Sequence, residues 1–184
     1  FGARDIWFVV ALPVFLSTEL GWGHNEIGAC MALWVIAYGC VQAFAPVITG
    51  AVGNPHVHHN NDKKQATLWA ALLALATFST AIGVTVGWLL PSVLLGLGVF
   101  GVLLAINSSF HSYLIVNYAR RDGVSLDVGF YYMANALGRL FGTLLSGLIY
   151  VNLSFVWCLW FSGCFLLMVT IISLLLPGER KYSG

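Results

Sequence analysis

Charged side chains are what this chain has least of. Eight Lys and Arg and seven Asp and Glu supply only 8% of its 184 residues, where an ordinary soluble domain carries about 25%. With 59% hydrophobic residues and a mean hydropathy of +0.87, there is too little polar surface to clothe a water-soluble fold, and the composition points to an all-α integral membrane protein with the lipid bilayer as its solvent. The net charge of +1 and the lack of any Lys/Arg cluster interleaved with aromatics argue against nucleic acid as a partner. Cysteine is scarce too. Cys30, Cys40, Cys158 and Cys164 all fall in apolar segments, at spacings that match no zinc motif and no disulfide framework. The basic n-region and small-residue cleavage site of a signal peptide are missing, and Phe1-Gly2 already lies in apolar sequence, as in a fragment that begins inside a helix.

Two apparent motifs lack the context that would give them chemistry. Gly96, Gly98 and Gly101 spell G-x-G-x-x-G inside an apolar span with no strand before it, so they read as packing glycines and not as a dinucleotide site. His56, His58 and His59 lie in an Asn-rich loop with no nearby Cys and read as solvated. No metal and no cofactor is expected.

What is present is long apolar sequence, in six segments near 1–18, 27–52, 66–88, 91–118, 128–150 and 155–177. Each is close to the roughly 17 to 25 residues that span a bilayer. Turn formers and charges separate them, except between the third and fourth, where only Pro91 marks a new start. Fusing those two would need a helix of about 50 residues, so six spans are preferred over five. Lys63 and Lys64, Arg120 and Arg121, and Arg180 and Lys181 follow the second, fourth and sixth spans, and the alternate loops hold no Lys or Arg. That asymmetry puts both ends in the cytoplasm of a multi-pass protein of the inner (plasma) membrane.

Arg4 and Arg139 belong to no loop. An arginine at bilayer depth costs about 2.5 to 3.5 kcal/mol even on a lenient scale, and is tolerated where it meets a partner, a bundle interior or water. Tyr131, Asn135, Arg139 and Thr143 recur every four residues and share one face of the fifth span. Trp34, Tyr38 and Gln42 repeat that spacing on the second span, and Asn107 and His111 on the fourth. The third and sixth spans carry no ionisable side chain in their apolar cores and read as lipid-facing. Spans one, two, four and five would then surround a polar cavity, in the three-plus-three pattern of a half-transporter built from two three-helix repeats. Ala134, Gly138, Gly142 and Ser146 form a row of small residues for close helix packing, about 100° from the Arg139 stripe. Pro13 and Pro46 would remove hydrogen bonds within their helices. Asp5, about 100° around the helix from Arg4, could neutralise Arg139 or carry a coupling proton.

Four stretches, FGARDIWFVVALPVF, ALWVIAYGCVQAFAP, AINSSFHSYLIVNYA and VGFYYMANALGRLFGTLLSGLIY, resemble the organoarsenical efflux permeases of the major facilitator superfamily. The chain is similar to helices seven to twelve of such a twelve-helix transporter. The resemblance implies export of 1-arseno-3-phosphoglycerate, an anion made when a glyceraldehyde-phosphate dehydrogenase accepts arsenate. It also implies gradient-coupled alternating access against an N-terminal six-helix half, and arsenate resistance. The loop GAVGNPHVHHNNDKK departs from the Gly-x-x-x-Asp-Arg-x-Gly-Arg pattern common at this connection. A substrate with phosphate, carboxylate and arsonate groups needs fixed positive charge, for which guanidinium is suited. Arg4 and Arg139 are the candidates, with Asn135, Tyr131, Asn107, Gln42 and Tyr38 for the remaining oxygens and His111 for an oxyanion or a proton. The alternatives are a carrier for another organic or phosphorylated anion, an intramembrane serine protease using Ser146 and His111, or a membrane scaffold. The protease reading is disfavoured by the absence of Gly-x-Ser-Gly.

Overall fold

The computed structural model describes residues 1–48, 62–118 and 123–175, and the described chain is all helical. A first helical run begins as a 3-10 helix (Gly2–Ile6), continues as a π-helix (Trp7–Ala11) and ends as α1 (Leu12–Thr18). There follow α2 (His24–Ile48), α3 (Asp62–Thr85), α4 (Leu89–Tyr118), α5 (Val124–Asn152) and α6 (Phe155–Leu174). Five helices, α2 to α6, are long and apolar enough to cross a membrane. The predicted span at 1–18 is helical from Gly2 to Thr18 but changes type twice and is not one α-helix of spanning length.

The weak break between the third and fourth spans is a true helix end. Gly87 adopts φ 98°, a left-handed conformation that only glycine takes cheaply, and the chain restarts at Leu89 with Pro91 in the first turn. Gly21, at φ 68°, does the same after α1. The first run is irregular for a local reason as well. Pro13 has no N–H for the Val9 carbonyl, and its ring crowds that carbonyl in a regular α-helix. The wider π turn just before it relieves the crowding.

Helices in lipid gain little from hydrophobic burial against one another, so close approach at small residues and interhelical hydrogen bonds must hold the bundle. Gly83 sits against Ser92, and Gly96 against Thr80, where α3 meets α4. Gly101 leaves a hollow on α4 for the Trp34 indole, whose Nε1–H donates to the Leu97 carbonyl at 2.8 Å. Gly163 on α6 accommodates Phe78 on α3. Two of the three G-x-G-x-x-G glycines are thus packing residues, and the third, Gly98, faces open space. Trp7, fully buried, meets Phe100 edge-on at 5.0 Å, and Phe15 stacks on Phe155 at 4.2 Å.

The third and sixth spans, read as lipid-facing, expose apolar side chains such as Leu68, Leu75, Trp157 and Met168 and also carry buried faces. α3 and α6 pack most extensively on each other, and larger shares of them are buried than of α2 or α5. Lack of charge made them compatible with lipid, but their Gly, Ala, Ser and Thr also make them good mutual packing surfaces. α2 touches mainly α4, along a stripe that includes Ile27, Met31, Trp34 and Tyr38. α5 lies against the 3-10 and π segments of the first run.

Candidate functional site

Arg139 lies close to the middle of α5, on the side the first run crosses. A Cβ on Gly2 would collide with the Asn135 carbonyl and come within 2.8 Å of the Arg139 amide, so glycine there lets the two backbones touch. Further along, a Cβ on Gly142 would fall 3.0 Å from Ala3 Cα. The Ser146 hydroxyl accepts a hydrogen bond from the Ala11 N–H at 3.2 Å, and the Thr18 hydroxyl pairs with the Tyr150 hydroxyl at 2.9 Å. Gly138, Gly142 and Ser146 of the small-residue row all lie against the first run. Ala134, the remaining member of the row, is exposed.

This docking brings Arg4 and Asp5 to the depth of Arg139. Asp5 Oδ2 lies 2.9 Å from Arg139 Nε, and Asp5 Oδ1 lies 3.7 Å from Arg4 Nε. One carboxylate is shared by two guanidiniums. The Arg4 and Asp5 side chains are 9% and 6% exposed, whereas that of Arg139 is 59% exposed, so the trio has a sealed side and an open side. Arg4 Nη1 also donates to the Phe1 carbonyl at 2.9 Å, and its guanidinium carbon lies 3.8 Å from the centre of the Phe1 ring. The other face of the cluster is closed by His111, whose imidazole stacks on Phe1 at 4.8 Å.

Polar atoms without a protein hydrogen-bond partner occur in the trio and on the first run, α4 and α5. Among the described residues these are Arg4 Nε in the trio itself, Asn135 Oδ1 beside Gly2, His111 Nε2, and, elsewhere on α4 and the first run, Asn107 Nδ2 and Oδ1 and Trp7 Nε1, all buried. Buried polar atoms in native folds are nearly always partnered, so those in and beside the trio suit a polar, anionic guest at its surplus positive charge. Tyr131 and Tyr38 lie within electrostatic reach of the Arg4 guanidinium. Tyr38 stacks on Trp34 at 5.4 Å, which fixes its ring. Beside the cluster a cavity of about 360 Å³ is lined by Phe1, His111, Tyr131, Ile115, Val169 and Ile172, among others.

Most of the residues singled out by sequence are thus gathered on three elements: the first run, α4 and α5. Gln42 is not gathered with them; it is half-buried one turn beyond Tyr38 and makes no hydrogen bond among the described residues. Thr143 is half-buried on the arginine face. Sequence reasoning missed Phe1, which sits between Arg4 and His111, and Ser162, whose hydroxyl donates to the Arg4 carbonyl at 2.6 Å. A serine in an apolar helix was the one available signal, and it is a common feature of packed membrane helices.

No group of three or more His, Cys, Asp or Glu able to hold a metal exists among the described residues. His56, His58 and His59 lie outside those residues, as do Arg120, Arg121, Arg180 and Lys181, on which much of the orientation argument rests. Ser146 is fully buried and committed to Ala11, and no hydrogen bond joins it to His111 among the described residues, which leaves a serine–histidine dyad without its geometry.

Comparison with known proteins gives one family model, described as Major Facilitator Superfamily, which matches residues 2–184. No curated protein and no solved structure matches the chain.

Proposed function

The chain belongs to the major facilitator superfamily, a family of membrane transporters and not of enzymes, and from that premise we propose that it carries an organic oxyanion out of the cell. The observation that carries this reading is the shared carboxylate. Arg4, Asp5 and Arg139 together hold one surplus positive charge at membrane depth, with Arg139 open on one side. A guanidinium already paired through Nε still presents its Nη edge, the planar fork that carboxylate, phosphate and arsonate accept in bidentate fashion. His111 and Tyr131 line the adjoining cavity, and Asn107 and Asn135 carry buried polar atoms without a hydrogen-bond partner among the described residues, so these four are the candidate donors and acceptors for the other oxygens.

The finer reading is export of an anionic organoarsenical of the 1-arseno-3-phosphoglycerate type, with arsenate resistance as its physiological result. It rests on the sequence resemblance in the four stretches that contain Arg4, Tyr38, Asn107 and Arg139. Alternating access against a second six-helix half, a plasma-membrane location with both ends of this segment cytoplasmic, and a functional link to a glyceraldehyde-phosphate dehydrogenase belong to the same proposal. So does the arrangement of six spans as two three-helix repeats, with the Gly2–Thr18 run as the first. Asp5 is our candidate for coupling export to a proton, a reading supported by its ion pair with Arg139, whose loss would free Arg139 for the anion. His111 is the second candidate for that proton.

The test is uptake by everted membrane vesicles containing the full-length carrier. Wild type should accumulate the arsenical in a gradient-dependent manner, and Arg139→Ala should not. Transport of other phosphorylated or carboxylated anions with no discrimination for arsenic would replace the substrate by the broader class, for which the trio is equally suited. Absence of any anion transport would overturn the reading.

A further inference from the structure

The two arginines of the trio are chemically alike and differently situated. Arg4 is committed to the protein at its head and at its backbone. Its Nη1–H donates to the Phe1 carbonyl at 2.9 Å, and that carbonyl also accepts the Arg4 backbone N–H at 3.2 Å. The guanidinium carbon lies 3.8 Å from the centre of the Phe1 ring, and the Arg4 carbonyl takes the hydroxyl of the fully buried Ser162 at 2.6 Å. Arg4 Nε is buried without a hydrogen-bond partner and faces Asp5 Oδ1 across 3.7 Å, too far for a hydrogen bond but near enough for charge attraction in a site poor in water. Arg139 is the opposite case. The close approach of Gly2 fixes its backbone, but its side chain is 59% exposed, and the ion pair that holds it among the described residues runs from Nε to Asp5 Oδ2 at 2.9 Å.

We propose that Arg4 does not touch the anion but is a positioning residue, which fixes the Asp5 carboxylate and through it the direction of the Arg139 fork. This deepens the anion-carrier reading and rests on it. The terminal torsion of an aspartate is broad and two-fold, so a carboxylate held at one oxygen can still turn. Here each oxygen faces one guanidinium, Oδ1 that of Arg4 and Oδ2 that of Arg139, and turning either away loses a charge contact. Arg4 is the firm member, being seated on Phe1 and anchored by Ser162. Arg139 is the member free to move, and the orientation of its Nη edge follows from where Asp5 holds its Nε. An arginine ordered before binding meets its anion at less cost in conformational freedom than one that the anion must order. Arg4 also provides the surplus charge, since Asp5 and Arg139 alone are a neutral pair. Its contribution therefore passes through Asp5, and a site without that carboxylate leaves Arg4 nothing to position.

The experiment labels the purified full-length carrier with phenylglyoxal, which attacks accessible guanidinium groups, and reads Arg4 and Arg139 separately by peptide mass. The probes are the arsenical and, for the broader class, 3-phosphoglycerate. In wild type Arg139 should be labelled and protected by a probe, with Arg4 left unlabelled; labelling of Arg4 that the probe slows would overturn the proposal, since it marks direct contact. The concentration that half-protects Arg139 is then compared in Arg4→Gln, Asp5→Asn and the double variant. Arg4→Gln should raise it about tenfold while Asp5 is present and less than about threefold in the Asp5→Asn background, because residues that act through one another are not additive. An equal rise in both backgrounds would mean that Arg4 acts on the anion by itself, and no rise in either that it does nothing for binding; each overturns the proposal. Where Arg4→Gln gives no folded carrier, Arg4→Lys is read in the same comparison, with the same excess expected in the presence of Asp5. Protection without uptake by vesicles defeats the carrier reading and leaves the role of Arg4 to the labelling; no protection of Arg139 by either probe defeats both.

Discussion

At the scale of single residues, the informative fact is that Arg139 is both paired and accessible. Its Nε is engaged by Asp5 at 2.9 Å while more than half of its side chain stays open. Lysine at this position would keep the ion pair and the charge but lose the planar fork, because an ammonium is a point charge with no second parallel N–H pair to offer. Arg139→Lys is accordingly expected to insert and fold like wild type, judged by detergent-solubilised yield and melting point. Its uptake efficiency should fall by about 10- to 100-fold, the range set by loss of a hydrogen bond to a charged group. Wild-type uptake by the lysine variant would show that only charge is read at this position. In sequence the 100° step between Arg4 and Asp5 left Asp5 open to two roles, neutralising Arg139 or carrying a proton, without choosing between them. The ordering of exposure was not legible there. Nothing in the sequence distinguishes Arg4, sealed by Phe1 and Ser162, from Arg139, left open, because burial of a side chain depends on which helix lies across it.

At the scale of elements, the same limit recurs. The apolar segments and their breaks are local properties and were readable; the observed ends of α2 through α6 differ from the sequence boundaries by a few residues. Pro13 marked the first span as irregular, but where that run docks depends on contacts such as that of Ala11 N–H with Ser146 Oγ, 135 residues away in sequence. Small residues invite close packing without saying which of them will be used. Gly142 is used: a side chain there meets Ala3 backbone at 2.9 to 3.0 Å, which cannot give way. Gly98 is not, having nothing within 4 Å. Gly142→Val should lower stability by about 1 to 3 kcal/mol, the usual cost of overpacking. Gly98→Ala should be neutral or slightly stabilising, since alanine favours helix over glycine by about 0.5 to 1 kcal/mol. Thermal unfolding of the purified protein in one detergent measures both, and a Gly142→Val protein that melts with wild type would contradict the close docking of the first run on α5.

At the scale of the molecule, the turns fall into two sets at opposite ends of the bundle. Leu20 to Gly23, Val86 to Trp88 and Leu153 to Ser154 join helices at one end, and none of these turns contains Lys or Arg. Lys63 and Lys64 mark the other end, at the start of α3. Short loops rich in Lys and Arg stay cytoplasmic because moving their charge across the membrane is unfavourable, so the first set is expected to face outward. That assignment also fixes the direction in which the charge site must open for export. It is checked by replacing the four cysteines, Cys30, Cys40, Cys158 and Cys164, with serine and adding one cysteine at a time. His24→Cys, exposed at the start of α2, should react with a membrane-impermeant maleimide on intact cells; Gln65→Cys, near Lys64, should react only after the membrane is opened. The reverse pattern would invert the bundle. Arg139, near the middle of α5, would keep its depth under inversion, so the orientation is decided by the labelling and not by the position of the charge site. Labelling therefore tests the orientation of the bundle, and the direction of transport is read separately, from uptake by everted vesicles.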